Sequence, residues 1–137
     1  MGKILLFQFQ ILMVLMLASC AGEREASFTL SSGGKTASVC ILPGEPEFVH
    51  LAVNDLLTDV EKITGSRPEI VSGIEGSGAD CMVIGSAGNA AQSELVKKIA
   101  GSDLENLKGK WEAYRIKNYT SDGNFLLITG SDPRGTM

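Results

Sequence analysis

The sequence has few of the residues on which most catalytic and metal sites depend. Its 137 residues include one histidine, His50, together with three cysteines and one tryptophan. A single imidazole cannot build a zinc cluster, and no two cysteines have metal-ligand spacing. His50 falls on the polar stripe of a predicted helix, which favours a solvated residue over a general base. We therefore expect no metal site, no cofactor and no catalytic triad.

Positive charge is also scarce. The chain has 12 lysines and arginines against 16 aspartates and glutamates, and they form no basic run. An acidic surface repels phosphate backbones, so nucleic acid is not an expected partner. The length, with 44% hydrophobic and 20% charged residues, predicts one globular domain.

The longest apolar run covers residues 4–17, follows Lys3 and is interrupted by Gln8 and Gln10. It is too short to span a membrane and is typical of a secretory signal, here residues 1–19. The following LASC segment resembles the lipobox of bacterial lipoproteins. That resemblance implies lipidation of Cys20, which anchors a protein without spanning the membrane. An ordinary signal peptide cut near Ala21, with Cys20 incidental, is the alternative.

On the lipoprotein interpretation, the protein is exported and lipid-anchored to the bacterial cell envelope at the outer membrane. The membrane is then a partner through the lipid anchor only. The mature chain begins at Cys20 and keeps 11 lysines and arginines, because only Lys3 is removed. Residues 20–26 are small and charged, as in a tether. Residues 27–137 form the folded domain.

Hydrophobic periodicity predicts a mixed α/β fold for this domain, with a small mixed sheet of five to six strands and two helices packed on it. The clearest helix covers residues 44–65, with a buried stripe of Val49, Val53, Leu56, Val60 and Ile63. A second helix covers residues 90–100 and ends at Gly101, and a linker follows over 102–110. The predicted strands are 27–31, 37–42, 67–71, 81–84, 111–119 and 124–129.

Two details of the predicted strands bear on the core and on function. Strands 27–31 and 37–42 are expected to form an opening hairpin. Cys40 and Cys81 lie in apolar runs and are expected to be unpaired core thiols. Residues 85–89 connect a strand to a helix, where backbone N–H groups can hold an anion, but a plain strand-to-helix turn is the favoured explanation of the glycines.

The final segment, GSDPRGTM, carries the start signal of a helix. Asp132 suits the cap position and Pro133 the first turn, but only four residues follow the proline. Such a helix cannot repay its nucleation cost alone. We therefore interpret the chain as a fragment whose next element lies in further polypeptide.

Carboxylates and aromatic residues give no distinct catalytic pattern. Glycosidases need two facing carboxylates, and Asp55, Asp59 and Glu61 are explained by a helix surface. Trp111, Tyr114 and Tyr119 could stack on sugar rings, but their alternation in a hairpin favours packing in a core or an interface. The sequence predicts no catalytic residue in this chain.

Four segments together resemble the N-terminal region of glycoside hydrolase family 115, the xylan α-glucuronidases. They are LAVNDLLTDVEKITGSRPEIV, CMVIGSAGN, LKGKWEAYRIKNY and LLITGSDPRGTM. The last is the most specific, although similar segments occur in hexosaminidases and in the other α-glucuronidase family. The resemblance implies a non-catalytic α/β domain that precedes a (β/α)₈ barrel, and the barrel removes 4-O-methylglucuronic acid from glucuronoxylan with inversion.

On this resemblance the partners are the catalytic barrel and, in the full-length protein, glucuronoxylan. The residues expected nearest to the domain junction or the substrate are Ser86, Gly88, Asn89, Asp132 and Arg134. The alternative hypothesis is a freestanding lipid-anchored module, without enzymatic activity, that binds carbohydrate or a protein partner.

Overall fold

The structure is a computed structural model that describes residues 27–74, 80–90, 92–121 and 123–137. The predicted signal peptide, Cys20 and the tether lie outside the described residues, as do the side chains of Leu95 and Ile99. Within the described ranges, no helix has the length and apolar character needed to cross a membrane.

The elements follow one another as three strands, one helix, two strands, two helices, two strands and one helix. They are β1 Ser31–Ser32, β2 Lys35–Thr36, β3 Ser38–Ile41, α1 Glu47–Thr64, β4 Ile70–Val71, β5 Asp80–Ser86, α2 Ala87–Ala90, α3 Glu94–Glu105, β6 Tyr114–Thr120, β7 Asn124–Gly130 and α4 Pro133–Thr136.

A five-stranded sheet with the order β4-β3-β5-β7-β6 forms the centre of the fold. The first four of these strands run parallel, and only β6 is antiparallel to its neighbour β7. Helices α1 and α3 belong to two different core clusters, one on each face of the sheet. The predicted mixed α/β class is confirmed. Residues 121 and 123 flank the turn between β6 and β7, at the position that the Asp-Gly signal predicts.

Helix α1 packs on the first face through Val49, Val53, Leu57 and Val60. The predicted stripe was wrong at its end, because Ile63 is 84% exposed. Leu56 is half-buried at the edge of the cluster, and Leu57 takes the central position. Gly65 ends the helix with a φ of 74°, as predicted, since glycine adopts left-handed backbone without strain.

Helix α3 packs on the second face and differs more from the prediction. It begins at Glu94, where the Ser93 hydroxyl accepts a hydrogen bond from the Val96 N–H, and it continues through Gly101 to Glu105. The linker prediction was therefore wrong for residues 102–105, whereas residues 106–110 form neither helix nor strand. Leu104 and Leu107 are buried, and their burial outweighs the cost of about 1 kcal/mol for glycine inside a helix.

The opening hairpin was also predicted in the wrong place. Residues 27–29 form no strand, and the hairpin pairs β1 with β2 around Gly33 and Gly34. β3 lies in the large sheet instead, parallel to both β4 and β5. β3 is stable in this sheet because Val39 and Cys40 are buried on its opposite faces. Cys40 and Cys81 are buried and are not joined in a disulfide, as predicted.

Candidate functional site

The candidate site lies at the carboxyl edge of the sheet. β3 leads into α1 on one face, whereas the neighbouring β5 leads through α2 into α3 on the other face. The chain therefore leaves β3 and β5 in opposite directions and creates a topological switch point between them. Open α/β sheets bind ligands outside the carboxyl ends of their strands at such a point.

A buried carboxylate joins the two sides of the switch point. Glu45 is 8% exposed, and its Oε1 accepts hydrogen bonds from the Ser86 N–H at 2.6 Å, the Ser86 hydroxyl at 2.9 Å and Asn89 Nδ2 at 2.7 Å. Buried carboxylates need such donors because the charge has lost its water. Sequence reasoning missed this role of Glu45. Glu47 is the acidic residue in the first turn of α1.

Asn89 also constrains the loop that carries Glu45. Gly44 has a φ of 86°, and a Cβ there would approach the Asn89 Oδ1 to 3.2 Å. Glycine at position 44 avoids strain in the left-handed backbone, and an added Cβ would require the Asn89 amide to shift by a few tenths of an ångström. The predicted plain turn over residues 85–89 was wrong in form, because β5 continues to Ser86 and α2 follows directly. Gly88 is exposed, and a Cβ added to it would have no atom within 4 Å, so nothing in the structure explains a glycine there.

Asp132 caps α4, as the sequence predicts. Its Oδ1 accepts a hydrogen bond from the Gly135 N–H at 2.9 Å, and its Oδ2 accepts one from the Glu112 N–H at 2.9 Å. These backbone donors, Glu112 first, lower the pKa of the Asp132 carboxyl below its ordinary value. The cap thereby joins α4 to the segment that precedes β6.

The two glycines of the GSDPRGT segment are explained by close backbone packing. A Cβ on Gly130 would lie 2.3 Å from Gly135 C and from Thr136 N. A Cβ on Gly135 would lie 2.5 Å from the Ala113 carbonyl oxygen. Non-bonded carbon atoms pack at about 3.5–4.0 Å, so neither position accepts a side chain without movement of the backbone. The segment folds as a tight corner of β7, α4 and the start of β6.

The outer side of this corner carries a polar pair. Arg134 Nη1 lies 3.3 Å from Glu112 Oε1, and both side chains are largely exposed. Arg134 therefore pairs with a carboxylate of this chain, a contact of small energetic value at the surface. Glu112 has a φ of 50°, which costs a non-glycine residue on the order of 1–3 kcal/mol. The hydrogen bond from its N–H to Asp132 holds it there.

Three large side chains next to the same corner are exposed to solvent. Trp111 is 78% exposed, Tyr114 is 68% exposed and Met137 is 65% exposed. We call these three residues the aromatic surface. Their packing in the core of this chain, one of the two environments expected for Trp111 and Tyr114, is therefore wrong, while packing in an interface stays a prediction. Exposed large apolar groups that cluster are informative, whereas isolated ones are not.

The structure separates the predicted site residues into two neighbouring groups. Ser86 and Asn89 meet at Glu45, whereas Asp132 and Arg134 meet at Glu112. The groups adjoin, because Ser86 pairs with Gly130 across the parallel ladder of β5 and β7. No sequence signal pointed to Glu112, since its partners are 20 and 22 residues away.

A second buried carboxylate, Asp103, lies away from this edge and was also missed. It is 7% exposed and accepts hydrogen bonds from three side chains of β6: Arg115, Lys117 at 2.9 Å, and Tyr119. The Tyr119 hydroxyl and then Lys117 lower the pKa of Asp103. Burial and the hydrogen bond to Asp103 raise the pKa of Tyr119 above its ordinary value. The cluster fixes α3 to the edge strand.

The described residues contain no group of three or more histidine, cysteine, aspartate or glutamate side chains placed to hold a metal ion. The chemistry present at the carboxyl edge is hydrogen bonding by the buried carboxylate of Glu45 and by the half-buried carboxylate of Asp132, together with exposed apolar area. Such an arrangement suits contact with another molecule or domain.

His50 is exposed on α1, as predicted.

Comparison of the sequence with known proteins finds no matching family model and no significant match among curated proteins.

Proposed function

We propose that this chain is the N-terminal accessory domain of an exported glycoside hydrolase of the xylan α-1,2-glucuronidase type. Cys20 carries the lipid that anchors it to the bacterial cell envelope, at the outer membrane. The domain is of the kind found before the barrel in hexosaminidases and α-glucuronidases. A downstream barrel holds the catalytic carboxylates and acts on glucuronoxylan, while this domain packs against the barrel.

The observation that carries this proposal is the aromatic surface. Trp111, Tyr114 and Met137 lie around the corner formed by the GSDPRGT segment, which also carries the most specific part of the resemblance. Interface cores are enriched in tryptophan, tyrosine and methionine. Arg134 and Glu112 add a polar rim to the same area.

Cysteine labelling of the aromatic surface tests this proposal. The gene is first read past codon 137, and the protein is then produced without residues 1–20 at both lengths, ending at Met137 or at the natural stop. In a Trp111→Cys variant, a thiol reagent should react fast in the short protein and at least tenfold more slowly in the long one, because the barrel covers the site. The natural thiols Cys40 and Cys81 are buried and give a low background.

The matched control is an Ile63→Cys variant, at the far end of α1 from the aromatic surface and 84% exposed. Its labelling rate should be the same at both lengths. Equal rates for Trp111→Cys at both lengths, or a stop codon directly after codon 137, would contradict the docking proposal.

The alternative function is a freestanding lipid-anchored module that binds carbohydrate or a partner protein. The specific observation in its favour is the exposure of two aromatic side chains, Trp111 and Tyr114, whose rings can cover a sugar face. Trp111 is the sole tryptophan, so its fluorescence reports directly on this surface. Saturable quenching by xylan oligosaccharides in the short protein would favour the module.

A further inference from the structure

A groove opens beside the switch point, on the α3 face of the sheet and opposite to the aromatic surface. It has a volume of about 310 Å³, at the lower end of the roughly 300–1,000 Å³ of small-molecule sites. It is lined by the end of β3, the residues that follow β4, and the segment from α2 to α3: Cys40, Leu42, Pro43, Ser72, Gly73, Ile74, Asn89, Gln92 and Ser93.

The lining combines an apolar floor with uncharged polar side chains. Leu42 and Ile74 belong to the buried core cluster of the α3 face. The polar members are two hydroxyls and two amides, from Ser72, Ser93, Asn89 and Gln92, and none of the lining residues that the structure describes is charged. Ligand sites commonly have this pattern of apolar walls with a few polar groups that fix orientation.

The Asn89 amide in the groove lining is held in place by a hydrogen bond to Glu45. Asn89 Nδ2 donates to Glu45 Oε1 at 2.7 Å, and Gly44 leaves only enough room for the Asn89 amide. Glu45 Oε2 has no hydrogen-bond partner and is buried. The fixed amide reduces the entropy that a ligand must spend on ordering the site, and the carboxylate behind it disfavours an anion in the groove.

We propose that this groove binds a small, uncharged molecule rich in hydroxyl groups, of about the size of one pyranose ring. Hydroxyls match the amide and hydroxyl lining, and the ring faces match Leu42 and Ile74. An anionic ligand would lose water without gaining an opposite charge, which is costly. This site does not depend on docking at the aromatic surface, since it lies on the other face of the sheet.

Titration followed by amide NMR of the chain without residues 1–20 tests the groove. D-xylose and D-glucose should shift the amide signals of residues 72, 73 and 89 in a saturable way. D-glucuronate and D-galacturonate, which match them in size but carry a negative charge, should bind at least tenfold more weakly. A Ser72→Trp variant should fill the groove and abolish the shifts, and Gln92→Trp should do the same from the other wall.

The matched control is Ser102→Trp, at an exposed position of α3 that does not line the groove, and it should bind as the natural chain does. The proposal is overturned if neither neutral sugar shifts these signals, if the charged analogues bind equally well, or if binding survives both groove-filling variants. If Trp111→Cys labelling contradicts docking but the neutral sugars bind, the groove proposal is supported and the docking proposal is not. If docking is observed but no sugar binds, only the docking proposal is supported.

Discussion

Replacing Gly130 with alanine should lower the free energy of unfolding by about 3 kcal/mol, at the upper end of the usual cost of overpacking. The added Cβ would meet the backbone of α4, with Gly135 C and Thr136 N at 2.3 Å and the Asp132 carbonyl oxygen at 2.6 Å. Backbone atoms cannot rotate away as a side chain can, so α4 must move. Urea unfolding of the variant and the natural chain measures the difference.

Gly101→Ala is the matched control, because it makes the same chemical change inside α3 where no atom lies within 4 Å of the new Cβ. It should raise the free energy of unfolding by about 0.5–1 kcal/mol, since alanine is the better helix former. A Gly130→Ala variant as stable as the natural chain would show that α4 does not pack as described.

Replacing Asp103 with alanine should cost about 2–4 kcal/mol, because it removes the common acceptor of Arg115, Lys117 and Tyr119. The partly exposed ends of Arg115 and Lys117 can turn to water, which keeps the loss below that of a fully buried pair. Tyr119→Phe removes one donor only and should cost roughly 1 kcal/mol. Thermal unfolding of the two variants gives the ranking.

The pH dependence of the Asp103 contribution has a definite sign. Since the pKa of Asp103 is lowered by folding from 3.8, the unfolded state binds more protons in acid, and the contribution is lost as the pH falls below that value. The difference between the natural chain and Asp103→Ala should therefore be full at pH 6 and shrink below pH 3.8. A difference that stays constant down to pH 2 would contradict the proposed role.

The raised pKa of Tyr119 predicts a second pH dependence of the free energy of unfolding, at alkaline pH. Its contribution should be complete below the ordinary value of 10.0 and decline as the pH rises above it, because the unfolded state then loses its proton first. The natural chain should therefore lose more stability than Tyr119→Phe between pH 9 and pH 11. Equal alkaline slopes in the two proteins would contradict the hydrogen bond from Tyr119 to Asp103.

The elements that local rules determine were predictable from the sequence. The end of α1 at Gly65, the cap at Asp132 and the hairpin of β6 and β7 follow from glycine, aspartate and turn chemistry within a few residues. α3 was misjudged because Gly101 is a local stop signal, whereas the burial of Leu104 and Leu107 is a tertiary effect. β3 was wrongly assigned to the opening hairpin, because the burial of Val39 and Cys40 on opposite faces of the large sheet is also a tertiary effect.

The candidate site was predictable only in part. Ser86, Asn89 and Asp132 were named on the family resemblance, and they lie on a strand-to-helix connection and a helix cap, which are local patterns of the sequence. The residues that join them, Glu45 and Glu112, contact partners 20 to 44 residues away. Nothing in their own neighbourhood distinguishes them from surface carboxylates, so only the fold could identify them.

Glucuronic acid release tests the central claim most directly. The protein that ends at Met137 and the protein that continues to the natural stop codon are incubated with glucuronoxylan oligosaccharides, and free (4-O-methyl)glucuronic acid is measured. The account predicts release by the longer protein and none by the shorter one. Release by purified protein of 137 residues or fewer would contradict it.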